Sequence, residues 1–146
     1  MLNFISDISH YDIVLNLAIQ AKHSLWIGTA DIKDLYVIQG RVEKPFLGIL
    51  AELIGTGVEV RLIHAKEPGP NFREDFDRYP ILAKMLERIL CPRVHFKIIV
   101  IDQKVCYVGS ANLTGAGIGM KSLYRRNFEA GILTDSSDIV NAAIEE

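Results

Sequence analysis

Cysteine is scarce in this chain: Cys91 and Cys106 are the only two in 146 residues. Two isolated thiols exclude a disulfide framework and a cysteine-based zinc site. Cys106 lies inside an apolar run and reads as a reduced core thiol. Long hydrophobic runs are missing as well. No stretch approaches a transmembrane segment, and Met1 to His10 carries no basic residues ahead of an apolar core, so the sequence reads as that of a cytoplasmic protein. Nor is there an excess of positive charge. A net charge of −2 and a pI of about 6.1 exclude a global basic field, so any grip on a polyanion must come from a local patch.

What is present is an ordinary globular composition, 49% hydrophobic and 23% charged, at a length that suits one domain over residues 1–146. Tyr11 to Ala21 has helical periodicity, entered from Ser9, with Ile13, Leu17 and Ile19 or Gln20 on its apolar stripe. Ser24 to Ala30 reads as a buried strand. Phe46 to Ile54 reads as a helix that starts after Pro45 and stops at Gly55-Thr56-Gly57. Val58 to His64 alternates as a second strand. Lys66 to Tyr79 is expected to be a loop followed by a short helix, and Ile81 to Leu90 a helix. After an apolar hairpin come a Gly-rich loop at 114–119, a strand near Phe128 to Leu133 and a helix from Ser136. Strands interleaved with helices predict an α/β fold with a central mixed sheet flanked by helices. The helical pattern still runs when the chain reaches Glu146, as in a chain cut from a longer protein.

The hairpin, V-H-F-K-I-I-V-I-D-Q-K-V-C-Y-V-G-S-A-N, admits polar residues only at its turn and its open end. Alternation puts His95 and Lys97 on one face. With a turn at Gln103-Lys104, Asp102 opposes Val105, Lys97 opposes Ser110 and His95 opposes Asn112, so the four polar residues converge. A slip of one residue would turn Ser110 and Asn112 away. Gln-Lys is a poor pair for a two-residue turn, which leaves a longer loop as the alternative. Asp102 lies seven residues from His95, roughly 23 Å along an extended strand, too far to orient its imidazole. Its expected role is hydrogen bonding in the turn.

The pattern H-x-K-x4-D followed by G-S-x-N, spelled by His95, Lys97, Asp102, Gly109, Ser110 and Asn112, resembles the HKD motif of the phospholipase D superfamily. Asn127 and Glu129 resemble the asparagine-x-glutamate that closes the motif there. The likeness extends from A-I-Q-A-K-H-S-L-W-I-G through V-E-V-R-L-I-H and so covers nearly the whole chain. It implies a phospholipase D-like layered sandwich and a phosphodiesterase that needs no metal or other cofactor. It also implies a phosphohistidine intermediate: one histidine attacks phosphorus while a second protonates the leaving oxygen and later activates water. His95, Lys97 and Glu129 would be catalytic, with Glu129 fixing the His95 tautomer. Lys97, Ser110 and Asn112 would bind phosphate. Asp102, Gly109 and Asn127 would be structural.

One chain carries one such motif. The resemblance therefore implies a C2 homodimer with the active site at the interface, or a second motif beyond Glu146. Lys121, Arg125 and Arg126 precede Glu129 closely enough to guide a nucleic-acid backbone, which favours a nuclease acting on DNA or RNA. A phospholipase or transphosphatidylase is the first alternative. A phosphate-gripping, dimerising module of a larger restriction or repair protein is the second. The other histidines read as bystanders, His10 and His23 on the surface and His64 on a pocket rim. A metal site from His95, Asp102 and Glu129 is disfavoured, because Lys97 would repel a cation. Ile118 and Met120 in the Gly-rich loop are expected to pack inward or to form a cleft wall.

Overall fold

A computed structural model describes every residue except Asp34 and Met120. Its centre is a mixed seven-stranded sheet in the order β1-β11-β9-β8-β2-β6-β7. In chain order these strands are β1 (Leu2–Ser6), β2 (Ser24–Thr29), β6 (Glu59–His64), β7 (Glu87–Leu90), β8 (Ile98–Ile101), β9 (Val105–Gly109) and β11 (Ala130–Thr134). Strands β2, β6 and β7 run parallel, and β8, β9, β11 and β1 continue the sheet by antiparallel pairing. Two small ribbons flank it: β3 (Ile32–Lys33) with β10 (Leu113–Thr114), and β4 (Tyr36–Gln39) with β5 (Val42–Pro45). The fold is the α/β layered sandwich expected from the interleaved pattern.

One face of the sheet carries the main core. Leu133, Tyr107, Ile99, Ile27 and Leu62 lie side by side in register and are all buried. They pack under helix α2 (Phe46–Gly55), which buries eight of its ten residues, and under α1, which is π-wound over His10–Leu15 and α-wound over Asn16–Ala18. The opposite face has a smaller core, where α6 (Ser137–Glu145) sets Val140 against Val100 and Cys106. Residues 99–101 are therefore enclosed from both sides, which explains their unbroken run of β-branched residues. Helices α3 (Pro70–Arg78) and α4 (Pro80–Met85) each start with proline in the first turn, where its missing N–H has no partner to lose.

Two expectations need correction. Ile81 to Leu90 is not one helix: α4 ends at Met85 and Glu87–Leu90 forms the edge strand β7, paired in parallel with β6. Edge pairing with Arg61–His64 overrides the local helical pattern. On α1 the buried face is His10, Val14, Leu15 and Ala18, while Ile13 is exposed. Counting apolar residues alone missed this face because a buried histidine belongs to it.

Candidate active site

The hairpin formed by β8 and β9 delivers the polar residues to one end of the sheet, in a register one residue from that expected. Ile101 opposes Val105 and Ile98 opposes Val108. The pairing reaches one step further, where Gly109 N–H donates to the Lys97 carbonyl at 3.1 Å, so Lys97 faces Gly109 rather than Ser110. The cause lies at the turn. Asp102 and Gln103 both adopt left-handed backbone (φ 53° and 54°), and Lys104 N–H closes the turn onto Ile101 O at 3.0 Å. This makes a three-residue connection of Asp102, Gln103 and Lys104.

Asp102 itself is fastened elsewhere. Its carboxylate accepts from the backbone N–H groups of His23 (2.7 Å), Ser24 (3.0 Å) and Lys22 (3.0 and 3.1 Å) at the entrance to β2. Burial pulls its pKa upward, but the three donated N–H groups outweigh that and hold it below its ordinary value. Its role is structural, and the bonds explain why a left-handed aspartate is tolerated here.

Lys97 is 8% exposed, and among the described residues no carboxylate pairs with it. Its ammonium donates to the His95 carbonyl at 2.8 Å and lies 3.3 Å from His95 Nδ1. A buried cation without a counter-ion is costly and is relieved by an anion. His95 is exposed at the mouth. An ammonium can only donate, so the neutral ring is held with Nδ1 bare and the proton on Nε2.

Glu129 stands apart from His95, and no hydrogen bond joins them. One carboxylate oxygen accepts from Asn127 Nδ2 at 3.1 Å and the other accepts a short hydrogen bond from Ser110 Oγ. Within one chain Glu129 is engaged by Ser110 and Asn127 and makes no hydrogen bond to His95. Ser110 also accepts from Ala130 N–H at 3.0 Å, which stitches the G-S-x-N segment to β11. Asn112 turns its oxygen toward the backbone, accepting from Ala30 and Asp31 N–H, each at 3.1 Å. Its amide nitrogen makes no hydrogen bond among the described residues. The expected convergence on His95 thus divides: Lys97 stays with His95, while Ser110 and Asn112 brace the surrounding loops, as the slipped register requires.

Lys121, Arg125 and Arg126 lie on a segment before Glu129 with Tyr124 (96% exposed) and Phe128 (91%) between and after them. Among the described residues no carboxylate pairs with these cations. Ile118 packs into the core from the short α5 (Gly115–Ile118), whereas Met120 lies outside the described residues. His23 is exposed as expected, but His10 and His64 are fully buried, which corrects their surface and rim readings. His64 is held by Lys66 O (3.0 Å) and Arg88 Nε (2.9 Å), and burial lowers its pKa. Among the described residues no group of three His, Cys, Asp or Glu is placed to hold a metal ion.

Residues 14–146 match the family described as cardiolipin synthase, PLD-like domain. This chain belongs to the phospholipase D family. Solved structures superpose over nearly its whole length. Nuc from Salmonella typhimurium, a phospholipase D family member, has a TM-score of 0.69 at 18% identity, covering 99% of this chain and 90% of that one. NucT from Helicobacter pylori gives 0.69 at 17%, covering 99% and 92%. Phosphatidylserine synthase from Haemophilus influenzae gives 0.73 at 12%, covering 99% of this chain and 35% of the synthase. No curated protein matches the sequence. Within this family member, sequence reasoning missed Asp7, His10 and Tyr107, which lie beneath Glu129 and the G-S-x-N segment. The only available signal was a tyrosine two positions before Gly109 on an inward-facing strand position.

Proposed function

We propose that this family member is a nuclease, cleaving DNA or RNA without a metal at a site completed by a second copy of the chain. The observation that carries the reading is Lys97, a buried ammonium with no acidic partner among the described residues, set against the exposed imidazole of His95. A phosphodiester oxygen would take the ammonium and stand beside the ring. A bare ring nitrogen of His95 then attacks phosphorus. The N–P bond forms and the P–O bond to the leaving group breaks, its oxygen taking a proton from the second copy's histidine. Water gives a proton back to that histidine and attacks phosphorus, breaking N–P and restoring His95. Lys97 and the Asn112 amide stabilise the charge that develops on the non-bridging oxygens.

A bare apolar band supports the second copy. Phe4, Ile132, Val108 and Ile98 lie side by side across β1, β11, β9 and β8, on the face that α6 covers only toward the turn. Phe4 is 71% exposed and Val108 40%. The band borders the site, since Val108 adjoins Gly109, and an apolar surface of this kind suits a two-fold contact that brings two His95 residues together.

The segment 121–128, with three cations and no acid, favours a polyanion. The exposed Leu123, Tyr124 and Phe128 favour a second reading, in which the same site acts on phospholipid and these residues enter the lipid surface. The test is cleavage of single-stranded DNA, duplex DNA, RNA and phosphatidylcholine in excess chelator beside a His95→Ala control. Cleavage of nucleic acid alone, lost in the control, is the expected result. Cleavage of phosphatidylcholine alone selects the lipid reading, and strict metal dependence overturns both.

A further inference from the structure

Beneath the motif lies a buried histidine–tyrosine pair that the proposed chemistry does not use. Tyr107 is 1% exposed on β9, and His10 is fully buried at the start of α1. The direction of each hydrogen bond is fixed by what its partner can do. The Asp7 carbonyl only accepts, so His10 Nδ1 carries the proton and donates to it at 2.9 Å. His10 Nε2 is then bare and accepts from the Tyr107 hydroxyl at 2.8 Å. The phenol oxygen in turn accepts from Ala111 N–H at 3.3 Å, between Ser110 and Asn112.

Asp7 carries the same chain of bonds to Glu129. Its N–H donates to Glu129 O at 3.0 Å, and its Oδ1 accepts from Glu129 N–H at 3.2 Å. Asp7 sits in left-handed backbone (φ 48°), a conformation that an aspartate tolerates when its polar groups are fully engaged. Gly109 and Gly131 make room for the ring. A Cβ at Gly109 would fall 2.3 Å from the Tyr107 hydroxyl and one at Gly131 would fall 2.4 Å from Tyr107 Cε2. The glycine of the motif is therefore matched to this tyrosine. Asp7 and His10 both precede residue 14, where the family match begins.

We propose that Tyr107 and His10 are positioning residues: through Asp7 and Ala111 their buried bond holds Glu129 and the Ser110–Asn112 segment at the spacing the phosphodiesterase site needs. The inference rests on the nuclease reading, because it assigns a role in that reaction. Neither residue touches substrate. Their loss is expected to lower turnover by misplacing groups that do, with substrate binding through Lys97 and the basic segment left nearly intact.

The test uses Tyr107→Phe, which keeps the ring and removes only the hydroxyl, together with His10→Leu, His10→Gln and the Tyr107→Phe/His10→Leu double variant. All are assayed by steady-state cleavage under conditions where each is shown to be folded by its melting curve. Tyr107→Phe and His10→Leu are each expected to lower kcat about 10- to 100-fold with KM changed by less than about threefold. The double variant should be no worse than the single ones, since the pair acts as a unit. His10→Gln, whose amide can still accept from the phenol, should recover part of the loss. Amide hydrogen exchange should show protection falling at Ala111 and Glu129 in Tyr107→Phe. Wild-type kcat in both single variants, beside an inactive His95→Ala, overturns the positioning role and leaves the nuclease reading standing. An inactive wild type overturns the nuclease reading itself. Exchange at Ala111 and Glu129 that does not change in Tyr107→Phe overturns positioning through Asp7 and Ala111.

Discussion

The Tyr107 hydroxyl reaches His10 Nε2 across 2.8 Å, and the two rings meet edge to face with centroids 5.3 Å apart. The contact joins the first helix to the strand that ends at Gly109, so residues 97 positions apart in sequence set the floor of the site. It also fixes protonation. Burial pushes the Tyr107 phenol up to about 12 despite the Ala111 N–H, with the Glu129 carboxylate adding to the rise. Tyr107 therefore remains a donor throughout the working pH range.

Acid should destabilise the protein through this pair. Burial lowers the pKa of His10 from its ordinary 6.5, against the opposing pull of the Asp7 carbonyl and of the Glu129 and Asp7 carboxylates. Burial likewise lowers His64, with Arg88 adding to the fall. Below 6.5 the unfolded chain binds protons that the folded chain resists, so stability rises with pH in that window and falls as pH drops through it. The melting temperature should decline between pH 8 and pH 5.5, and His10→Leu should flatten the decline. A flat wild-type profile contradicts the buried neutral histidines.

The turn offers a separation of stability from chemistry. Gln103 is exposed and left-handed, so Gln103→Gly should stabilise by about 0.5–1 kcal/mol by relieving the backbone. Asp102→Asn, which weakens the bonds to Lys22, His23 and Ser24, should cost about 1–3 kcal/mol. Neither change should alter kcat of the folded protein by more than about twofold, because the turn lies at the far end of the hairpin. Denaturant unfolding with parallel assays checks both, and a large kcat loss in Asp102→Asn would assign that residue to the chemistry.

How far this was visible beforehand can be read residue by residue. Periodicity and turn residues revealed β2, β6, α2 and the hairpin, because each has a strong local pattern. Strand β7 escaped, since Glu87–Leu90 becomes a strand only by pairing with β6. The motif pointed to His95 and Lys97 directly and to Asp102 as a turn residue. It could not give the register, because that depends on an aspartate bonding to N–H groups about 80 positions away in sequence. His10 was hidden for a similar reason: nothing local marks a histidine that will be buried against a distant tyrosine.

Lys97 should show a conflict between stability and function. Replacing a buried ammonium that has no acidic partner among the described residues with an apolar chain of similar length removes a desolvation cost, so Lys97→Met should be neutral or stabilising by up to about 2 kcal/mol. Cleavage should fall by about 10²- to 10³-fold. A strongly destabilised Lys97→Met would mean that the ammonium is compensated inside the protein and does not await phosphate.

The apolar band offers a separate test of the shared site. Val108→Asp places a carboxylate in its centre and should shift the chain to monomer in sedimentation velocity, with cleavage falling in step. A fully active monomer would contradict a site completed by a second copy.

The most direct measurement is a rapid quench into alkali during turnover of a chromogenic phosphodiester in excess chelator, followed by mass analysis of the peptides. A phosphoryl adduct on the peptide containing His95, absent in His95→Ala, is the predicted result. Turnover without any adduct, or an adduct that persists in His95→Ala, would contradict His95 as the nucleophile.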